Sequence, residues 1–145
     1  MADLPSLPPA VASSIASWHN MLASRDLSGL SAITHPDVVF RSPVAHSPYH
    51  SAQALSLALS NVIEVFTNFT YHRQAATADG MNVVLEFSAT IDDKDIKGID
   101  FIRFNEEGKI IEFEVMLRPL SGAQALAAAM GKRVASTLPL YKSKT

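Results

Sequence analysis

Residues 98–117 read GIDFIRFNEEGKIIEFEVML, two alternating runs separated by the turn-forming segment Asn105–Gly108. Successive side chains of a β-strand point to opposite faces of the sheet, so a strand with one buried face alternates apolar and polar residues. This rule places four residues on the inner face of the first strand: Gly98, Asp100, Ile102 and Phe104. In the second strand the apolar set is Ile111, Phe113, Val115 and Leu117. Asp100 is the polar exception, and it marks either a wrong face assignment or a site.

The same alternation continues upstream and predicts an antiparallel meander. One face of Met81–Ile91 carries Val83, Leu85, Phe87, Ala89 and Ile91. Turn residues at Asp79-Gly80 and Asp92-Asp93 separate this run from its neighbours. Four consecutive strands are therefore expected, over Phe69–Thr77, Met81–Ile91, Ile96–Phe104 and Lys109–Arg118.

The first half of the chain has helical spacing. A first helix is expected after Pro8-Pro9, with one apolar face formed by Val11, Ile15, Trp18 and Leu22. Asp26 is a candidate cap for a second, short helix that carries Leu27, Leu30 and Ile33 and ends at His35-Pro36. A short strand, Val38–Arg41, and a loop through His50 follow.

Two further helices flank the predicted sheet. Ser51 is a candidate cap for the helix that buries Leu55, Leu59, Ile63 and Phe66. After Pro119, a capping box of Ser121 and Gln124 predicts a helix over Ala123–Met130, which either ends at Gly131 or continues for one turn through Val134.

Helices followed by a meander define an α+β domain with the helices on one face of the sheet. The 145 residues, 48% of them hydrophobic, suit one domain over 1–145. An N-terminal tail over about 1–9 and a C-terminal helical tail over about 121–145 extend from it. That tail is expected either to cover a pocket or a partner subunit, or to be partly disordered.

Composition excludes several classes of function. The net charge of −2, with scattered Lys and Arg, predicts no nucleic-acid partner. The chain has no cysteine, which excludes disulfides, thiolate catalysis and Cys-ligated zinc. The uncharged stretches are too polar to span a membrane, and the N-terminus lacks the pattern of a secretory signal. A cytoplasmic location is expected.

The outer face of the predicted sheet is more apolar than a fully solvated face requires. Val84, Ile99, Phe101 and Met116 fall on it among charged residues. This pattern favours a homodimer formed through the outer sheet face, the alternative being scattered surface hydrophobic residues.

Three segments together resemble the NTF2-like superfamily, in particular its SnoaL-like polyketide cyclase and ketosteroid isomerase branches. They are WHNMLASRDLSGL at 18–30, HPDVVFRSPV at 35–44 and the alternating stretch 98–117. The resemblance covers roughly Val11 to Leu117. It implies a cone, in which a curved antiparallel sheet wraps around N-terminal helices and encloses an apolar pocket. It also implies dimers packed through the outer sheet face.

Only part of the isomerase site has matching residues in this chain. Asp100 matches the Asp of the oxyanion hole, Trp18 falls where that branch has a Tyr, and Ser42 falls at the general-base Asp. The limonene epoxide hydrolase branch needs an Arg where this chain has Gly98, and a second inward Asp where it has Phe113 and Val115. The cyclases carry a His or Asp on the last strand, where Glu112 and Glu114 face outward.

Burial among apolar side chains is expected to raise the pKa of Asp100, so that a protonated carboxyl could donate to a ligand carbonyl. Ketosteroid isomerase is itself the known example of this chemistry. The alternative is a structural Asp satisfied by a buried water, Trp18 or a backbone amide. The expected pocket lining, which is also core, is Trp18, Phe40, Phe66, Tyr71, Leu85, Phe87, Ile102, Phe113, Val115 and Leu117.

Histidines add weaker candidates. His35, His46 and His50 lie in or beside the loop at the expected pocket mouth, at spacings that match no standard zinc pattern. We therefore expect no metal and no cofactor. His46 and Tyr49 remain candidates for acid or base groups at the rim.

Three functional hypotheses follow. The chain is an enzyme that acts on a small apolar carbonyl compound by proton transfer through Asp100, with isomerisation, cyclisation and dehydration as the reaction types. Alternatively it binds such a ligand without catalysis, or it is a protein-interaction module like nuclear transport factor 2. A second polar group near Asp100 separates the first two, because proton transfer needs both a donor and an acceptor. The candidates are Trp18, Ser42, Tyr71 and His46.

Overall fold

A computed structural model describes residues 6–134. Within that range the first half of the chain forms α1 (Pro9–Ser24), a 3-10 helix (Leu30–Ile33), β1 (Thr34–Arg41), β2 (Tyr49–His50) and α2 (Ala52–Val65). The second half forms β3 (Thr67–Ala76), β4 (Asn82–Ile91), β5 (Lys94–Phe104), β6 (Ile110–Arg118) and α3 (Leu120–Val134). The predicted α+β class is confirmed.

The six strands form one curved, unclosed sheet in the order β2-β1-β6-β5-β4-β3. The meander predicted from the alternating segments is confirmed, because β3 to β6 pair antiparallel in sequence order. The sheet is nevertheless mixed, since β1 lies parallel to β6 with Phe40 opposite Phe113. The short β2 pairs antiparallel with β1 and forms one edge.

The start of β6 departs from simple alternation. Arg103 pairs with Glu112 but Phe104 pairs with Ile110, so Ile111 is an extra residue on β6. Such a β-bulge shifts the side-chain parity of the strand. The predicted inward position of Ile111 is therefore wrong at this point, and the fully buried Ile110 occupies the core instead.

The helices agree with the predictions in part. α1 begins at Pro9, and the Ser51 side chain caps α2 by accepting a hydrogen bond from the Ala54 amide at 2.9 Å. The cap assigned to Asp26 is wrong, because its carboxylate accepts from the Ser28 amide in a local turn. Only Leu30–Ile33 is helical in that region, and β1 already begins at Thr34.

The predicted start of the last helix is also wrong. α3 begins at Leu120, so Ser121 lies inside the first turn rather than at a capping-box position. The helix passes through Gly131 and continues to Val134. The predicted tail beyond Val134, like residues 1–5 of the N-terminal tail, lies outside the described residues.

α1 is attached to the sheet by the turn between β5 and β6. The buried Ser14 hydroxyl donates to the Gly108 carbonyl at 2.5 Å. Gly108 has φ +77°, and a Cβ there would overlap the backbone of Ala10, so the turn lies directly against α1. Trp18, one helical turn after Ser14, is thereby held over the inner face of the sheet, where it is buried.

α3 packs on the same inner face through a small residue. A Cβ on the buried Gly122 would overlap the Ile96 side chain of β5, whereas a Cβ on Gly131 would meet nothing within 4 Å. Close contact between helix and strand therefore requires glycine at 122 and not at 131.

We predict that Gly122→Ala destabilises the protein by about 1–3 kcal/mol, because Ile96 must shift to admit the methyl group. The matched change Gly131→Ala, in the same helix, should stabilise it by about 0.5–1 kcal/mol through helix propensity. Thermal unfolding of both variants measures the difference. Equal melting temperatures for the two would contradict this packing of α3.

Candidate functional site: a carboxyl in an apolar cavity

The sheet, α1, α2 and α3 enclose a cavity of about 580 Å³, within the size range of sites for small organic ligands. Each element contributes apolar side chains to its wall, among them Trp18 and Leu22 from α1, Leu59 and Ile63 from α2, and Leu126 and Met130 from α3. The polar side chains in the wall are Arg25, Ser42, Tyr49 and Asp100. The cavity thus suits a largely apolar ligand with few polar atoms.

Asp100 lies in the wall of this cavity and is 6% exposed. The Tyr71 hydroxyl donates to its Oδ2 at 2.5 Å, and the Trp18 indole Nε1–H donates to the Tyr71 oxygen at 2.9 Å. The three side chains come from β5, β3 and α1, so a linear hydrogen-bond chain crosses the core and ends at the carboxyl. Within residues 6–134 no group hydrogen-bonds to the other carboxyl oxygen, Oδ1.

Burial raises the pKa of Asp100 to about 7, and the hydrogen bond from Tyr71 opposes the shift by stabilising the carboxylate. The pKa of Tyr71 is raised well above its usual range by its own burial and by the neighbouring Asp100 charge. Tyr71 therefore stays protonated as a donor. Asp100 has both protonation states accessible near neutral pH, as a general acid or base requires.

Aromatic rings hold Tyr71 in place. The Phe69 ring meets it edge-on at 4.9 Å, and His19 meets it edge-on at 5.4 Å. Burial lowers the pKa of His19, which keeps its imidazole neutral beside the hydrogen-bond chain that leads to Asp100. Because β-strand residues 69 and 71 share one face, the alternation of β3 places Phe69 and Tyr71 together.

The structure brings together part of the predicted site. Seven of its predicted members line the cavity: Trp18, Phe40, Ser42, Phe66, Phe87, Asp100 and Val115. Tyr71 lies behind Asp100. Three members, Leu85, Ile102 and Phe113, are fully buried in the core behind the lining. Strand alternation identifies the inner face, but it does not distinguish the part beneath α1 from the part that borders the cavity.

The remaining predicted members lie apart from the cavity wall. Leu117 packs with the second apolar cluster near α3, and His46 is exposed. Ser42 does line the cavity, and its hydroxyl accepts a hydrogen bond from the Val44 amide at 3.2 Å within the segment after β1. Of the four candidate partners of Asp100, Tyr71 makes the direct hydrogen bond and Trp18 makes the next one.

The sequence did not identify which residues of the last helix meet the cavity. Leu126, Ala127 and Met130 of α3 line it, in agreement with one alternative for the C-terminal helical segment, that it covers the pocket. Arg25 also borders it, with Nη2 donating to the Ile63 carbonyl at 2.6 Å. The apolar spacing of the Ala-rich helix was the available signal, but nothing in it told which helix face meets the cavity.

The described residues show neither a metal-binding cluster nor a membrane-spanning helix. Across the described range, 6–134, no group of three or more His, Asp or Glu side chains is arranged to hold a metal ion. None of the helices in that range is long and apolar enough to cross a membrane.

A curved sheet packed on helices around a cavity, with a carboxyl on the inner face of the third meander strand, defines an NTF2-like protein. Residues 15–113 match the model of the SnoaL-like domain. The chain therefore belongs to the SnoaL-like domain family. No curated protein matches it.

Solved structures agree with this assignment. A protein of Pseudomonas aeruginosa described as a steroid delta-isomerase is 54% identical, with a TM-score of 0.89, and the match covers 94% of this chain and 98% of that one. An uncharacterised protein of Silicibacter pomeroyi with a cystatin-like fold is 29% identical, with a TM-score of 0.83 over 93% and 98% of the two chains. A protein of Jannaschia described as a SnoaL-like polyketide cyclase is 11% identical and shares the fold, with a TM-score of 0.64 over 90% and 96% of the two chains.

The raised pKa of Asp100 predicts a distinctive dependence of stability on pH. The folded protein keeps a proton, with a pKa of about 7, that the unfolded chain releases near its ordinary pKa of 3.8. The free energy of unfolding should therefore fall as pH rises through this window, by about 4 kcal/mol in total. The Asp100→Asn side chain stays neutral, so this variant should lack the fall in the free energy of unfolding that Asp100 causes. Urea unfolding between about pH 4 and about pH 8 measures it.

Asp95→Asn, the same change at an exposed position of β5, is the matched control and should retain the pH dependence of the wild type. Tyr71→Phe should extend to higher pH the range over which the free energy of unfolding falls, because the Asp100 carboxylate loses its stabilising donor. Parallel pH profiles for the wild type and Asp100→Asn would show that the pKa of Asp100 is not raised.

Proposed function

We propose that this chain binds a small, largely apolar carbonyl compound in the cavity and catalyses a proton transfer on it through Asp100. The observation that carries the proposal is the chain from Trp18 through Tyr71 to Asp100 Oδ2, which ends at an apolar cavity. Trp18 donates to Tyr71 and Tyr71 donates to Oδ2 of the carboxyl, so the other oxygen, Oδ1, remains for the ligand.

In the protonated state, Asp100 donates a hydrogen bond from Oδ1 to the carbonyl oxygen of the ligand. During enolisation a base supplied by the solvent takes the proton from the carbon next to the carbonyl, and negative charge develops on the carbonyl oxygen. The hydrogen bond from Asp100 strengthens as this charge develops and stabilises the transition state. The apolar wall excludes water and thereby increases the strength of this electrostatic interaction. Isomerisation, cyclisation and dehydration of carbonyl compounds all gain from this stabilisation.

The arrangement also accounts for the departure from the isomerase pattern on α1. The resemblance expects a phenol at position 18, where this chain has an indole. Tyr71 brings a phenol to the same carboxyl from β3, and Trp18 donates to that phenol. Together with the Pseudomonas aeruginosa protein described as a steroid delta-isomerase, this favours a ketone as the ligand.

A non-catalytic ligand-binding protein is the second candidate. In the described wall, Asp100 is the titratable group able to accept a proton near neutral pH, and Ser42 stands where the isomerases have a basic Asp. A site with one acid and no separate base is able to bind a ketone without turning it over. Binding and catalysis must therefore be measured separately.

Binding is tested with Prodan, an apolar fluorescent ketone whose emission reports its surroundings. We expect affinity for Prodan to fall as pH rises through about 7, since the Asp100 carboxylate cannot donate to a carbonyl oxygen. Asp100→Asn keeps an N–H donor and should bind with little pH dependence, while Asp100→Leu should bind weakly at every pH. A wild-type protein that fails to bind Prodan contradicts the proposal.

Catalysis is tested with 2-tetralone in D2O by following deuterium incorporation next to the carbonyl by NMR. Acid-assisted enolisation should exceed the buffer rate by about 100-fold or more, and Asp100→Leu should remove the acceleration. Asp95→Leu, an exposed Asp on the same strand, is the control. Binding of Prodan without accelerated exchange would support the non-catalytic candidate.

We further propose that the chain forms a homodimer through the outer sheet face. Phe101 is 37% exposed and Met116 is 45% exposed. On the same face, Phe101 pairs with the half-buried Val84 and Met116 pairs with the half-buried Ile99. Opposite charges surround this apolar centre, with Glu86 paired to Arg73 and Lys97. A surface that carries both signs around an apolar centre is able to complement a second copy of itself.

Size-exclusion chromatography with light scattering should give twice the chain mass of 15.7 kDa. Phe101→Glu should give a monomer, because a charge at the apolar centre opposes burial. Leu120→Glu changes a residue that is 74% exposed at the start of α3 and should remain dimeric. A monomeric wild type, or a dimeric Phe101→Glu, would exclude this interface.

A further inference from the structure

The His19 imidazole carries a buried polar atom that the chain from Trp18 to Asp100 does not use. Among residues 6–134, its Nε2 is the buried side-chain atom that has no hydrogen-bond partner. The residue as a whole is half-buried, and the other ring nitrogen, Nδ1, is not enclosed in this way, so water reaches it. Buried polar atoms nearly always have a partner, because an unpaired one costs free energy. Nε2 therefore requires a partner other than an oxygen or nitrogen atom.

The Tyr71 ring is placed to be that partner. Its centroid lies 5.4 Å from that of His19, and the two ring planes cross at 86°. In such an arrangement the edge of one ring points at the face of the other, and an N–H directed at an aromatic face makes a weak hydrogen bond. A neutral imidazole carries its proton on one of its two nitrogens. A proton on Nε2 gives this atom a partner, whereas a lone pair there would meet the negative face of the ring.

An N–H on the ring face alters the phenol as well as holding it. It draws electron density from the ring, which makes the Tyr71 hydroxyl a stronger donor to Asp100 Oδ2. Donors that act in series polarise one another in the same way. α1 thus acts on Tyr71 at two points. Trp18 Nε1 donates to the hydroxyl oxygen, and His19, about 100° further round the helix, meets the ring.

We propose that His19, as its Nε2–H tautomer, is a positioning residue that donates to the face of the Tyr71 ring and strengthens the hydrogen bond from Tyr71 to Asp100. His19 is not part of the cavity wall that the described residues form, so it acts on a ligand through Tyr71 and Asp100. Burial lowers the pKa of His19 and favours the neutral ring that this role needs. For the reaction itself the inference rests on the proposed function, to which it adds the residue that adjusts the acidity of Asp100.

The tautomer is tested by long-range 1H–15N NMR of the protein without ligand, at a pH of about 7.5, where a histidine of lowered pKa is neutral. His19→Gln identifies the His19 resonances by their loss. We expect a protonated Nε2, an unprotonated Nδ1, and an Nε2–H proton shifted upfield by the ring current of Tyr71. Tyr71→Leu should abolish that upfield shift. A His19 ring protonated on Nδ1, or an unshifted Nε2–H proton, overturns the inference.

The effect on Asp100 is measured from the pH dependence of its carboxyl 13C resonance. Glutamine places an amide N–H where His19 has Nε2, while phenylalanine keeps a flat ring without an N–H. His19→Phe should raise the pH midpoint of Asp100 by about 0.3–0.5, since a weaker donor at Tyr71 stabilises the carboxylate less. His19→Gln should keep the wild-type midpoint. In a Tyr71→Phe background, His19→Phe should have no effect, because the hydroxyl that transmits the change is absent.

The two variants separate a donor from a packing residue. A packing role predicts the opposite order, because phenylalanine fills the space beside Tyr71 better than glutamine does. The other titratable groups in the described wall around Asp100, Arg25 and Tyr49, are the same in every variant. A raised midpoint in His19→Gln, or an unchanged one in His19→Phe, overturns the inference. Thermal unfolding confirms that both variants are folded.

These titrations use the protein without ligand, so they do not depend on the proposed function. With 2-tetralone, His19→Phe should slow deuterium exchange by about 2-fold at a pH where Asp100 is protonated, because a less acidic carboxyl stabilises the developing charge less. An unchanged rate at that pH overturns the role of His19 in the reaction. The expected tautomer and midpoints without any binding of ketones would contradict the proposed function and leave the contact between His19 and Tyr71 established.

Discussion

The hydrogen bond from Tyr71 to Asp100 is the interaction on which the site depends. A carboxyl buried in hydrocarbon is costly when charged, and without a donor its pKa would rise until it was neutral at every physiological pH. The Tyr71 hydroxyl opposes this shift, and the two effects together bring the pKa of Asp100 to about 7. The carboxyl is thereby able to exchange a proton at neutral pH, although its surroundings are almost entirely apolar.

This hydrogen bond requires that β3, β5 and α1 be positioned relative to one another. β5 and β3 both pair with β4, with Asp100 and Tyr71 adjacent to Leu85 and Phe87 of that strand. α1 is positioned separately, by the hydrogen bond from Ser14 to Gly108 in the turn that follows β5. The turn that reverses the chain after the Asp100 strand thus also determines where Trp18 lies. Changes to this turn should therefore alter the site as well as stability.

Much of this arrangement can be predicted from the sequence, for a physical reason. Alternation with period two assigns a face to each strand residue, so Asp100 is identifiable as an inward carboxyl without a structure. The same rule failed at Ile111 because a bulge inserts one residue, and a bulge leaves no signal in the apolar pattern. The parallel pairing of β1 with β6 is equally invisible, since it joins segments far apart in the chain.

Hydrogen-bond partners across the core are harder to predict than the sheet face on which a residue lies. Tyr71 was one of four candidate partners for Asp100, and alternation alone could not select it, because reach depends on strand order and curvature. Tyr49 shows the same limit, since the two-residue strand that holds it is too short to have a period. Both phenols are long, rigid side chains that place a hydroxyl far from their own backbone. Tyr49 lines the cavity from β2, whereas Tyr71 contacts Asp100 from β3 behind the cavity wall, so the strands on both sides of β5 each bring a phenol to this part of the core.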